Sequence, residues 1–213
     1  MSAIKPIIRE LKQAALKGGV HARDRLHQLT DNMNGHLDNV VRQVRDTDRF
    51  DNTIDVSLKR FRRNRNHDSA EYNRQYDEQM DTLQSMTAAD WLRNRIDYLE
   101  NGRTSDSLRA QQNARDDALQ DKIAELVEND MDYDEATQVA EQWLSSQAAL
   151  HRLDGIAGGD VTDISRVGDA RVNSSLGSQW RSRVGDIDAA VIAFVNANPG
   201  VNLHDVNINV ILR

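Results

Sequence analysis

Apolar residues recur at steps of three and four along much of this chain, which is the pattern of amphipathic helices. The clearest stripe runs through Leu26, Leu29, Met33, Leu37, Val40, Val41 and Val44. It predicts a helix over residues 22–46, and a shorter stripe predicts another over 5–17. Gly18-Gly19 separates the two. We therefore expect a helical hairpin in residues 1–50, which either packs on the main domain or acts as a docking or delivery arm.

The same periodicity predicts further helices over residues 70–100, 106–129, 133–153 and 183–197. Thr87 is a potential helix N-cap, and Asn101-Gly102 is a potential helix stop. The polar segment that follows Gly158-Gly159 has the composition of loops and turns.

Alternation of apolar and polar residues is clear in "DVNINVILR" at the C-terminus, which predicts one strand, standing alone or paired with a short neighbour. We identify no such alternation before residue 200. The expected fold is mainly α: a single multi-helix domain over residues 51–213, with an N-terminal helical hairpin over 1–50 and one short C-terminal β-strand.

Composition narrows the classes of protein. The 213 residues include no cysteine, which excludes disulfides, cysteine-ligated zinc and a cysteine nucleophile. The longest apolar run, "AAVIAFV", is too short to cross a bilayer, so we expect no membrane-spanning segment. The first residues lack the separate apolar core of a signal peptide. We therefore expect a protein that is not exported through a cleaved N-terminal leader.

Charge is distributed unevenly. The net charge of −7 argues against non-specific coating of nucleic acid, although it allows a local basic groove. The run "SLKRFRRNRN" holds five cations and no acid: Lys59, Arg60, Arg62, Arg63 and Arg65. Such a run is either a solvated face or a surface for phosphate groups. Residues 115–135 hold nine acids, which indicates the outward side of a helix or a surface for a basic partner.

The segment "ALHRLDGIAGGD" contains two side chains suited to catalysis or metal binding. These are His151 and Asp154, which stand three residues apart. On the predicted helix this spacing places both side chains on one face. A carboxylate beside an imidazole orients it and raises its pKa, and the two can also bind a divalent metal. A histidine paired with an acid near a helix end is equally a common structural feature, so the spacing alone leaves both interpretations open.

Polar residues after the pair are compatible with a substrate pocket. Gly158 and Gly159 allow close backbone approach. The arginines Arg171, Arg181 and Arg183 can bind phosphate oxygens with two parallel hydrogen bonds. Further site candidates on the predicted loop are Asp160, Asn173, Ser174, Ser175 and Gln179.

Several separated segments resemble the polymorphic toxin type 15 family in the same order: "RNRNHDSAEYNRQ", "DWLRNRIDYLENGR", "HRLDGIAGGD" and "GDARVNSSLGSQWRSRV". The resemblance covers roughly residues 60–185. It implies a nuclease toxin domain, as in DNase effectors of the type VI secretion system, whose His-x-x-Asp motif falls on His151 and Asp154. His67 and Asp68 lie in a matching segment and are further site candidates.

The leading hypothesis is therefore a toxin domain that hydrolyses DNA. We expect His151 to activate water and Asp154 to orient it or to help bind a divalent metal ion, Mg²⁺ being the expected ion. The alternatives are an RNase of the same toxin class and a helical adaptor module without enzymatic activity.

The resemblance also implies binding partners and a route of secretion. The expected partners are DNA, a cognate immunity protein, and an adaptor or carrier of the secretion apparatus. We expect the protein to be made in the cytoplasm, secreted without a signal peptide, and active in the cytoplasm of the target cell.

Overall fold

A computed structural model describes residues 52–198 and 200–213. The helices predicted over 5–17 and 22–46 lie outside the described residues. The helices are α1 (Ser69–Ser85), α2 (Ala88–Asn101), α3 (Ser105–Glu128), α4 (Tyr133–Ser145), α5 (Ala170–Trp180) and α6 (Val184–Ala197). The strands are β1 (Thr53–Leu58), β2 (Gln147–His151), β3 (Ile164–Asp169) and β4 (Asn207–Leu212). Short 3₁₀ helices span Gly155–Ala157 and Leu203–Asp205.

The described chain is mainly helical and ends in a strand, which confirms the predicted fold class. The helices predicted over 106–129 and 183–197 are α3 and α6. Asn101-Gly102 ends α2 as expected, because Gly102 has a φ of +61°, which glycine adopts readily. In the part of the chain that the structure describes, no helix has the length and apolarity needed to span a membrane.

One predicted helix, over 70–100, is in fact two. The chain leaves the helical conformation between Ser85 and Ala88. Thr87 then starts α2, since its hydroxyl oxygen accepts a hydrogen bond from the backbone N–H of Asp90 at 3.1 Å. The N-cap signal at Thr87 was therefore stronger than the continuous periodicity around it.

Internal contacts divide the chain into two compact units. The described part of the first comprises residues 52–58, Gln84–Leu92 and, apart from residue 199, Gly185–Arg213. Here β1 and β4 pair in parallel, with Thr53 opposite Asn207 and Leu58 opposite Leu212. The expectation of no alternating strand before residue 200 was wrong, because in β1 Ile54, Val56 and Leu58 are buried and alternate with exposed residues.

The second unit comprises Lys59–Leu83 and Arg93–Val184. The helix predicted over 133–153 was wrong at its C-terminal end, because α4 stops at Ser145. Ser146 ends it by donating its hydroxyl to the carbonyl of Trp143 at 2.8 Å, a local bond that competes with helical hydrogen bonding. Residues 147–151 then form β2, which pairs antiparallel with β3.

The segment predicted as loop after Gly159 was also wrong in its second half, where β3 and α5 form. Asp169 caps α5 by accepting hydrogen bonds from the backbone N–H groups of Arg171 and Val172. Val172, Leu176 and Trp180 recur every fourth residue and are buried. That stripe was readable in the sequence, but it was hidden among many Ser, Gly and Asn residues.

Candidate active site

His151 is the last residue of β2 and lies at an irregularity in the sheet. Leu150 pairs with Arg166, whereas His151 pairs with Ile164, so Ser165 is the extra residue of a bulge. Bulges bend a strand and redirect the side chains beside them. The expectation that His151 and Asp154 share one helix face is therefore corrected: a strand end presents the histidine, and a separate turn presents the aspartate.

The imidazole of His151 has a defined hydrogen-bond partner. Its Nε2 lies 3.1 Å from the carbonyl oxygen of Val161. A carbonyl can only accept, so Nε2 carries the hydrogen, and the neutral ring keeps its lone pair on Nδ1. Burial lowers the pKa of His151 below its ordinary value of 6.5, although the nearby charge of Asp154 partly opposes this. Near neutral pH the residue is therefore an uncharged base.

Asp154 is held by the turn that follows it. Its Oδ1 accepts a hydrogen bond from the backbone N–H of Ile156 at 3.0 Å and caps the 3₁₀ helix Gly155–Ala157. Gly158 closes this turn with a φ of +91°. Gly159 is buried against the carbonyl of Leu153, where a side chain has no space. Both predicted glycines thus shape the turn that carries Asp154, and neither lines the cavity described below.

The second carboxylate oxygen of Asp154 packs against α5. A Cβ atom built on Gly177 would lie 2.7 Å from Asp154 Oδ2. The helix can approach the carboxylate this closely because residue 177 has no side chain. Sequence analysis missed Gly177, although a glycine inside a helix is a signal of close packing.

A cavity of about 320 Å³ opens beside the two side chains and lies wholly within the second unit. We call it the His151 cavity. Predicted site residues that line it are His151, Asp154 and Asn173. Most of the other lining side chains are polar, and sequence analysis did not assign them to the site: Gln79, Tyr98, Arg103, Ser107, Gln111, Arg115 and Gln147. They come from α1, α2, the α2–α3 turn, α3 and β2, so no local pattern could group them.

Arg183, predicted to contact phosphate, has a structural role instead. It is 3% exposed, and its guanidinium donates to the carbonyl oxygens of Lys59, Arg60 and Gln179 at 2.6–2.7 Å. It also lies over the ring of Phe61, 4.2 Å from the ring centroid. A guanidinium held in this way is not available to substrate.

The other predicted arginines are exposed but lie outside the His151 cavity. Arg171 forms an ion pair with Asp169 at 3.0 Å. Arg181 is at the C-terminal end of α5. These two residues therefore offer exposed charge near α5.

Four predicted polar residues also lie outside the cavity. Asp160 accepts hydrogen bonds from the backbone N–H and the hydroxyl of Thr162. Ser174 and Ser175 lie on α5. Gln179 holds Arg62 through two hydrogen bonds, accepting from its N–H at 2.8 Å and donating to its carbonyl at 3.1 Å.

The predicted cationic run forms what we call the basic segment, residues 59–65. Arg183 and Gln179 bind its backbone at residues 59, 60 and 62, while all five cationic residues are exposed. The main chain of the basic segment is therefore held in place, and its cationic residues are exposed to solvent. Arg63 differs from the others, because its guanidinium donates to the carbonyls of Asn64 and His67.

His67 and Asp68 are not brought to the His151 cavity. Asp68 begins α1 by accepting a hydrogen bond from the backbone N–H of Glu71 at 2.8 Å. The Nδ1 of His67 is buried and has no hydrogen-bond partner among the described residues. Asp68 therefore serves the start of α1.

The ligands available to a metal ion are few. Among residues 52–198 and 200–213, no group of three or more His, Asp or Glu side chains is placed to hold one. Asp154 and His151 supply one carboxylate and one imidazole. Mg²⁺ commonly binds through one or two carboxylates and completes its shell with water and substrate phosphate oxygens. The donor set is therefore compatible with an ion that arrives with a phosphate substrate, and not with a closed protein cage.

Comparison with known protein families identifies a family model that matches this chain. The family model Ntox15, described as Novel toxin 15, matches residues 66–210, which is more than half of the 213-residue chain. The match includes every residue that lines the His151 cavity, whereas the basic segment precedes it. No curated protein matches the chain.

Proposed function

The chain belongs to the Novel toxin 15 family and carries a toxin domain, and from that premise we propose that the domain is a nuclease that hydrolyses phosphodiester bonds of DNA. One observation carries the proposal. A neutral imidazole, with Nε2 bound to Val161 and its lone pair on Nδ1, lies beside the Asp154 carboxylate in a polar cavity. This is the arrangement that a general base for water requires.

The proposed reaction begins when water enters the His151 cavity beside a phosphodiester. Nδ1 of His151 takes a proton from the water as its oxygen attacks phosphorus. The bond from phosphorus to the leaving sugar oxygen then breaks, and that oxygen takes a proton from solvent. The charge of Asp154 stabilises the imidazolium that forms, since an opposite charge nearby favours the protonated ring.

A divalent ion, for which we propose Mg²⁺, is compatible with this site through Asp154. When bound, such an ion neutralises negative charge on the phosphate and lowers the pKa of its water. The Asp154 carboxylate would hold the ion, while its Oδ1 also caps the 3₁₀ helix.

Binding of the DNA backbone is assigned to the basic segment. Its cations point to solvent while its backbone is held, so the charges are displayed together without further ordering of the main chain. Phosphate contacts of this kind attract nucleic acid without reading its sequence. Arg171 and Arg181 extend the exposed cationic surface on α5.

Plasmid nicking tests this function. The wild-type protein should nick supercoiled DNA in the presence of Mg²⁺ and lose activity with EDTA. His151→Ala and Asp154→Ala should each lose about 10²–10⁴-fold in rate, the usual contribution of general acid–base catalysis. Circular dichroism should show that both variants remain folded. Normal nicking by either variant would refute the assignment.

Substrate class is tested in the same assay. RNA run beside the plasmid distinguishes a DNase from an RNase of the same toxin class. Cleavage of RNA alone would transfer the proposal to RNA. If neither polymer is cleaved, the alternative of a non-enzymatic adaptor module is supported.

We also propose a biological setting for this activity. The toxin is made in the cytoplasm, delivered by a type VI secretion apparatus with the help of an adaptor or carrier, and acts in the cytoplasm of the target cell. A cognate immunity protein protects the producing cell. Export that persists after deletion of the secretion apparatus would contradict the proposed route.

A further inference from the structure

Two arginines line the His151 cavity, and they differ in what holds them. Arg115 donates to the carbonyl of Gln147 at 2.5 Å and to that of Leu144 at 3.3 Å, so it joins the end of α4 to the start of β2. Arg103 is exposed, and in the described part of the chain no carboxylate or carbonyl accepts from its guanidinium. The cavity therefore contains one cationic side chain that the fold does not use.

The main chain fixes the position of Arg103. Gly102, with its φ of +61°, ends α2 immediately before it. Thr104 begins α3 immediately after it, accepting a hydrogen bond from the backbone N–H of Ser107 at 3.2 Å. Arg103 thus lies between the glycine that follows α2 and the N-cap of α3, which restricts its backbone while its side chain is exposed.

The charge of Arg103 also reaches the catalytic histidine. Its guanidinium is one of the groups that lower the pKa of His151, together with burial, which is the larger cause. Asp154 and Asp160 oppose it by raising that pKa. The guanidinium of Arg103 therefore lies close enough to His151 for its positive charge to act on the imidazole.

We propose that Arg103 binds the phosphodiester of the substrate in the His151 cavity, an inference that rests on the proposed nuclease function. A guanidinium presents a planar pair of N–H donors that matches two phosphate oxygens. Binding there neutralises charge that increases on the phosphate as water attacks. Arg103 thus takes the role that the sequence had assigned to Arg183, which is buried and bound to carbonyls.

The test compares Arg103→Gln and Arg103→Lys with a matched control. Arg109 is also exposed and near the start of α3, but it pairs with Asp106 at 3.4 Å and does not line the cavity. Arg103→Gln should lower kcat/KM for plasmid cleavage on the order of 10- to 100-fold, the effect of losing a charged hydrogen bond. Arg103→Lys should restore part of the loss, and Arg109→Gln should match the wild type.

A second measurement does not depend on cleavage. In the catalytically inactive His151→Ala background, Arg103→Gln should weaken the binding of DNA on the order of 10-fold, because a charged contact to phosphate is removed. Arg109→Gln should bind DNA as the parent does. Arg103→Lys keeps the charge and should retain most of the affinity, which separates loss of charge from loss of structure.

The outcomes separate the two proposals. If the wild type cleaves DNA and Arg103→Gln cleaves it with unchanged kcat and KM, the inference about Arg103 is overturned and the nuclease function stands. Unchanged affinity of the inactive Arg103→Gln variant for DNA would overturn it as well. If the wild type cleaves no nucleic acid, the proposed function fails first and this inference fails with it.

Discussion

At the scale of single residues, the protonation of His151 is set by opposed effects. Burial lowers its pKa, and Asp154 raises it. Asp154→Asn removes the opposing charge, so the pKa of His151 should fall further in this variant. An NMR titration of the imidazole measures it. Asp97→Asn is the control, since that carboxylate accepts from Asn101 on α2 and is not among the groups that shift His151. A rise in the pKa would contradict the assigned geometry.

The lowered pKa also predicts a pH dependence. His151 acts as a base only when unprotonated, so the acid limb of kcat/KM should lie below pH 6.5, the ordinary histidine value. The free energy of unfolding is expected to depend on pH in the same direction. Between the folded pKa and 6.5 the unfolded chain binds more protons, so the free energy of unfolding falls as pH decreases through this window. Denaturant titrations of the wild type and His151→Gln should show that the variant loses this dependence.

Gly177 is the residue whose role comes from packing alone. In Gly177→Ala the new methyl group would lie 2.7 Å from Asp154 Oδ2, so the carboxylate must move. Misplacement of this size can cost on the order of 10²-fold in rate. We expect a loss of that order in nicking. Gly185→Ala is the matched control, because its Cβ meets nothing within 4 Å. Equal activity in the two variants would show that Asp154 tolerates displacement.

At the scale of elements, α5 joins the cavity to the basic segment. Asn173 lines the cavity, Gly177 packs against Asp154, and Gln179 holds Arg62. Residues 173 and 179 are separated by about 9 Å along the helix axis, from a rise of about 1.5 Å per residue. One helix therefore sets the spacing between the proposed catalytic pair and the surface that we assign to the DNA backbone.

The basic segment should determine the salt dependence of DNA binding. In a catalytically inactive His151→Ala background, the double variant Arg62→Gln/Arg65→Gln should flatten the slope of log affinity against log salt by about one unit for each lost phosphate contact. The control Arg109→Gln/Lys122→Gln removes two charges that are already paired with Asp106 and Glu125. If both double variants give the same slope, the basic segment is a solvated face.

At the scale of the whole molecule, the net charge is −7, whereas the basic segment and Arg103 are local sites of positive charge. An acidic immunity protein that covers the His151 cavity would compete directly with DNA, and opposite charges would speed its capture. The alternative surface is the acidic stretch 115–135, where Tyr133 is 61% exposed. Inhibition from there would not require displacement of DNA.

Competition distinguishes these surfaces. Labelled DNA is bound to the His151→Ala variant, and purified immunity protein is titrated against it. We expect full release of DNA at saturation, because one site cannot hold both ligands. A stable complex of all three components would instead place the immunity protein on the acidic stretch.

Local chemistry in the sequence determined the limits of several elements and singled out the residues that we propose as the catalytic pair. The Asn101-Gly102 stop, the N-cap at Thr87 and the amphipathic face of α6 depend on residues within one or two turns of each other. His151 and Asp154 were identified from their spacing and from the family resemblance. Their reaction stays a proposal, whereas family membership is confirmed.

Tertiary structure decided the rest, because it depends on residues distant in the chain. Ala148, Ala149 and Leu150 suit a helix or a strand, and pairing with β3 makes them a strand. β1 finds its partner more than 140 residues later, in β4. Arg103 and Arg183 have the same side chain. The carbonyls around Arg183 hold it in the fold, whereas Arg103 keeps its charge available in the cavity.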